Sequence, residues 1–113
     1  MTTHPRLQLN PAFHNPLRFS LMATLAGVSD ITFRQAREYL QTTDSTLSKH
    51  ASALEELGLV QVKKCFVGKR PQTRLALTKD GTESWREHLA ALRAIAEGPG
   101  ELPRISDAGH MGA

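Results

Sequence analysis

Two stretches of the 113-residue chain gather side chains able to bind a partner. In the first, Thr43, Ser45, Thr46, Ser48, Lys49 and His50 place hydroxyls, an ammonium and an imidazole within two helical turns. Short hydroxyl side chains let a helix approach a surface closely, and Lys49 can donate to a phosphate or a base-edge acceptor. The second stretch runs from Lys63 to Lys79. It holds six basic residues (Lys63, Lys64, Lys69, Arg70, Arg74 and Lys79) and no acidic one, while the rest of the chain carries 8 basic against 11 acidic groups. A basic segment on a mildly acidic body fits contact with a polyanion at one place. The competing reading is a solvated hairpin whose lysines blunt its edges.

Other reactive side chains are scattered. His50 can contact a partner, pack at the edge of an apolar stripe or bind metal. His4, His14, His88 and His110 show no tight ligand spacing, so no metal and no cofactor are expected. His14 and His88 can meet between the first and last helices. Cys65 lies beside Lys64, which favours a thiolate and allows a redox switch; the plainer reading is a small, half-buried hydrophobe. There is no glycine-rich phosphate loop after a strand, no nucleophile elbow and no HExxH. Glu55 and Glu56 are adjacent on a helix surface instead of converging on a pocket. The chain is not expected to be an enzyme.

Length and composition agree with a single globular unit. With 40% hydrophobic and 22% charged residues, the chain is neither disordered nor membrane-like. No apolar run approaches the about 18 residues needed to cross a bilayer, and the start, MTTHPRLQLNP, lacks a secretory apolar region. One cysteine cannot form an internal disulfide. A cytoplasmic domain without membrane contact is the expectation.

Residues 1–11, with Pro5 and Pro11, read as a flexible N-terminal segment, residues 12–97 as the folded domain, and the Gly- and Pro-rich residues 98–113 as a disordered tail. Asn15 before Pro16 predicts a helix start, with Leu17, Leu21, Leu25 and Val28 as a buried stripe flanked by Met22, and Gly27 as the end. Ile31 can add a one-residue strand. Thr32 caps a second helix, Phe33 to Leu40. After a tight turn at Gln41 and Thr42, Thr43 or Asp44 caps a third helix running to about Leu57, where Gly58 supplies a left-handed stop. Leu47, Ala51 and Leu54 form its inner stripe, which turns Ser45, Lys49 and Ser52 outward. Residues 59–63 and 73–77 read as paired strands joined by a long loop, Lys64 to Gln72. Thr78 caps a fourth helix carrying Trp85, Leu89, Leu92 and Ile95. That stripe exceeds what one helix of so small a domain needs for its own core, so it predicts a partner surface; full burial within the monomer is the alternative.

The predicted order is α-α-α-β-wing-β-α, a mainly α (α+β) fold with a small hairpin. Two helices joined by a tight turn and followed by a basic hairpin form a DNA-reading arrangement. The run from Thr43 to Val60, with its T-L-S-K-H-x-x-x-L-E-E-x-G-L-V pattern, resembles the recognition helix of the ArsR-like and MarR-like winged helix-turn-helix regulators. The segments Val67-Gly68-Lys69-Arg70-Pro71-Gln72-Thr73 and Leu77-Thr78-Lys79-Asp80-Gly81 are similar to the wing and post-wing cap of the same superfamily. Asn10-Pro11 and Asn15-Pro16-Leu17-Arg18 resemble a compact bacterial subset with one such domain per chain.

This resemblance implies a cytoplasmic transcription regulator, a repressor rather than an activator, bound as a homodimer to a pseudo-palindromic site on double-stranded DNA. It places Thr43, Ser45, Thr46, Ser48, Lys49 and His50 toward the major groove, and Lys64, Lys69, Arg70 and Arg74 at phosphates or the minor groove. Leu17, Leu21, Trp85, Leu89, Leu92 and Ile95 would form the dimer interface, setting two recognition helices about 34 Å apart. The recognition region has no metal-sensing cysteines, and the long dimerisation helices of many MarR-like proteins are absent. No effector is therefore assigned. A protein-interaction module, and a ligand-, redox- or metal-responsive regulator of the same fold, are the alternative functions.

Overall fold

In the computed structural model, residues 3–102 can be described. Four helices are present, α1 (Pro16–Ala26), α2 (Phe33–Leu40), α3 (Asp44–Glu56) and α4 (Lys79–Glu97). Three strands accompany them, β1 (Ile31–Thr32), β2 (Val60–Val67) and β3 (Arg70–Leu77), in an antiparallel sheet of order β1-β3-β2. Two short 3-10 turns, Pro5–Gln8 and Pro11–Phe13, precede α1. Pro5–Gln8 belongs to the stretch read from sequence as lying outside the folded domain, and it runs against α4. The tail beyond residue 102 lies outside the described residues.

Local sequence explains each helix boundary. Asn15 accepts the backbone N–H groups of Leu17 and Arg18, and Pro16 at the first helical position has no N–H to satisfy. Thr32 and Gln35 form a reciprocal capping box at the head of α2. After α3, Gly58 takes φ +77°, its N–H reaches Glu55 O at 2.9 Å and Leu59 N–H reaches Leu54 O at 3.0 Å. This left-handed stop satisfies the last carbonyls and turns the chain into β2. Thr78 then caps α4 through the Gly81 N–H and donates its hydroxyl to Gly58 O. The start of α4 is thereby tied to the α3–β2 corner.

The core collects one face from every helix: Leu21, Met22 and Leu25 of α1, Ala36 of α2, Leu47, Ala51 and Leu54 of α3, and Trp85 of α4. Leu59, Val60 and Leu75 close it from the sheet side. Phe13 and Phe19 meet Trp85 edge to face, with ring centroids 5.7 Å and 4.9 Å away.

Two sequence expectations are corrected. Val28 is 43% exposed, because Gly27 ends α1 before the stripe can reach it. The long loop from Lys64 to Gln72 does not exist: β2 and β3 pair without interruption from Val60–Leu77 out to Val67–Arg70. Only Gly68 and Lys69 make the turn, with Gly68 at φ +64°, the residue type and position that suit a two-residue hairpin turn. Reading turn residues as a loop overlooked that the alternation of the strands continues through the basic segment.

Candidate nucleic-acid interface

Burial of Leu47, Ala51 and Leu54 fixes the rotation of α3 and presents Ser45, Ser48, Lys49 and Ser52 to solvent. Thr43 serves the helix head: its Oγ1 accepts the Thr46 N–H at 3.2 Å and donates to Thr46 Oγ1 at 2.9 Å. Thr46 keeps its own hydroxyl proton for an outside acceptor. Asp44, in the first turn of α3, puts a negative charge beside this face. Arg37 of α2 answers it at 2.9 Å across the helix-turn-helix corner. Among exposed groups such a pair adds little stability, but it compensates a carboxylate that would repel a polyanion.

His50 sits at the edge of the same helix, half-buried. Its Nδ1 accepts the Arg18 Nε–H at 2.9 Å, which joins α1 to α3 and leaves Nε2 as the outward nitrogen. Burial, then the positive charges of Arg18 and Lys49, hold the His50 pKa below the ordinary histidine value. His50 is therefore neutral at physiological pH and adds no charge to the face.

The hairpin stands beside α3. Ser48 and Ser52 share a groove with Val62, Lys64, Thr73 and Leu75 of the two strands. Lys69 and Arg70 are exposed at the hairpin's tip, and Arg70 also lines a cleft that runs back to Arg34 and Arg37 of α2. Arg74 differs from these. Its Nε donates to Asp30 Oδ1 at 2.9 Å and its Nη1 to Gln72 Oε1 at 3.0 Å, so it braces the base of the hairpin. The contacts of Arg18 with His50, Arg37 with Asp44 and Asp30 with Arg74 were not read from the sequence, because pairings between separate elements leave no spacing pattern.

The residues assigned from sequence to a dimer interface divide. Leu21 and Trp85 are 0% and 5% exposed in the chain's own core, which corrects their assignment to an outer face. Aromatic packing of Trp85 with Phe13 and Phe19 accounts for an apolar excess that the sequence reading gave to a partner. Leu17 and Leu92 are half-buried, while Leu89 and Ile95 remain 40% and 37% exposed. Cys65 is half-buried, its thiol directed at Gln72 O. His14 and His88 do meet, with ring centroids 6.0 Å apart, but among the described residues no group of three potential metal ligands exists. No helix among the described residues is long and apolar enough to cross a membrane.

A helix-turn-helix with a polar outward face on its second helix, flanked by a two-stranded basic wing, defines a winged-helix DNA-binding protein. The chain belongs to the winged helix DNA-binding domain family, whose model matches residues 17–96. It is 30% identical over 85 residues to an uncharacterized protein of Methanocaldococcus jannaschii, an alignment covering 75% of this chain and 92% of that protein. Among solved structures it resembles a transcriptional regulator homologue from Pyrococcus horikoshii OT3, at 30% identity and a TM-score of 0.72 over 76% of this chain and 85% of that one. AbsC, a MarR family transcriptional regulator from Streptomyces coelicolor, shares the fold at 20% identity and a TM-score of 0.62, covering 79% of this chain and 64% of its own. The chain is thus a winged-helix DNA-binding protein, similar in fold to transcriptional regulators.

Proposed function

We propose that this chain is a cytoplasmic, sequence-specific transcription regulator that binds a pseudo-palindromic DNA site as a homodimer and represses by occupying it. The observation that supports this reading most is the joint placement of α3 and the wing. Ser48 of α3 and Lys64 of the wing line one groove, Arg70 lines the adjoining cleft, and Ser45, Lys49 and Lys69 are exposed on the same two elements. In this reading α3 enters the major groove. Lys49 donates to guanine O6 or N7, and the Ser45, Thr46 and Ser48 hydroxyls reach neighbouring base edges. The capped head of α3 approaches a phosphate through its free amides. Lys64, Lys69 and Arg70 neutralise phosphates beside the wing, while Arg74 and Arg37 hold the two reading elements in place.

The exposed Leu89 and Ile95, with half-buried Leu17 and Leu92, supply the self-complementary surface of the dimer. The test compares variants on a preferred and a scrambled duplex. Lys49→Ala changes the order of preference among DNA sequences. Lys69→Ala with Arg70→Ala weakens binding to every duplex and lowers the salt slope by about 0.9 per lost phosphate contact. Identical effects of the two changes on all duplexes would contradict this division of roles.

A further inference from the structure

The wing carries an apolar residue that the basic pattern of its sequence conceals. Phe66 is 72% exposed, although it lies within β2 opposite Pro71 of β3. Side chains alternate along a strand, so Val60, Val62, Lys64 and Phe66 share one face. Val60 on that face is 2% exposed, and Val62 and Lys64 line the groove shared with Ser48 and Ser52 of α3. Phe66 is the next residue outward on the face that looks toward the recognition helix. Cations lie along the same hairpin: Lys64 one pleat inward on the same face, Lys69 in the turn, and Arg70, paired with Val67, on the opposite face of the ribbon.

The surroundings decide the occupant. An apolar protein surface covering Phe66 would also bury neighbouring cations without partners, which is costly. A DNA minor groove offers apolar sugar walls between two rows of phosphates, the complement of a ring on a basic hairpin. We propose that Phe66 packs against the sugars and base edges of the minor groove flanking the site read by α3; this rests on the DNA-binding reading above. The exocyclic amino group of guanine protrudes into that groove, so a ring seated there favours A·T pairs. Phe66 then adds a flank preference that no hydrogen-bonding residue supplies, and it neutralises no phosphate.

The experiment uses the full chain and a duplex that it selects from a random-sequence library, rebuilt with A·T-rich or G·C-rich flanks. Binding is followed by fluorescence anisotropy at several salt concentrations. Phe66→Ala is expected to lose about tenfold in affinity for the A·T-flanked duplex, in line with burial of a phenyl ring, and much less for the other. Its salt slope stays that of the unsubstituted chain, and Phe66→Leu recovers part of the loss. Equal affinity of Phe66→Ala and the unsubstituted chain on both duplexes overturns the proposal and leaves the DNA-binding reading intact. So does a shift of Phe66→Ala from dimer to monomer in sedimentation, which would assign the ring to a second copy of the chain. If the unsubstituted chain selects no sequence at all, the DNA-binding reading fails and this inference with it.

Discussion

At the scale of single residues, two histidines couple the fold to pH. His88 is 2% exposed, and its Nδ1 accepts the Asn10 N–H at 3.0 Å, a bond the protonated ring cannot accept. Burial, then the neighbouring His14, lowers its pKa; His50 is lowered by burial, Arg18 and Lys49. Both rings therefore take up a proton more readily in the unfolded chain, whose value lies near 6.5. Their contribution to stability is complete above that value and is lost as pH falls below it. Urea denaturation between about pH 8 and pH 5 should show stability declining from about pH 6.5 downward, with NMR placing the His88 titration below the ordinary range. A His88 resonance titrating at the ordinary histidine value would contradict this account. The sequence allows His14 and His88 to meet, but the burial of His88 and its bond to Asn10, 78 positions away, leave no local signal.

At the scale of elements, the joints between them carry the tightest constraints. A Cβ built at Gly81 would lie 1.9 Å from Leu59 O, so the first turn of α4 presses backbone to backbone on the α3–β2 corner. Gly81→Ala must push the two apart and is expected to cost about 1–3 kcal/mol, toward the upper end because the obstacle is main chain. Thermal or urea unfolding of the variant checks this, and unchanged stability would show that the corner has slack. The helix boundaries were legible because caps are local: Asn15-Pro16, Thr32, Gly58 and Thr78 each act on residues within three or four positions. The wing was legible only in part. Its charge shows in the sequence, but its length depends on cross-strand pairing from Val60–Leu77 to Val67–Arg70, and Gly68 and Pro71 argued for a loop. The closeness of Gly81 to Leu59 leaves no local signal at all.

For the whole molecule, the charge asymmetry of the chain becomes a sidedness. The hairpin that holds most of the basic stretch stands beside the polar face of α3; two of the carboxylates near that face are paired, while Glu55 of α3 lines the groove with Lys64. Asp44 is paired with Arg37 and Asp30 with Arg74. The outer residues of α3 were readable from sequence because its inner stripe sets the rotation. The dimer surface was not, since the same apolar period describes a residue packed inside the monomer, as Trp85 is, and one left outside, as Leu89 is. The central claim is that this sided surface binds DNA with sequence preference. Fluorescence anisotropy of the unsubstituted chain, with a duplex from upstream of its own gene and a scrambled control over a salt series, tests it most directly. The account predicts a preference of about 10³-fold or more for one duplex and a steep salt slope reporting several phosphate contacts. Weak and equal binding to both, with a shallow slope, would contradict it.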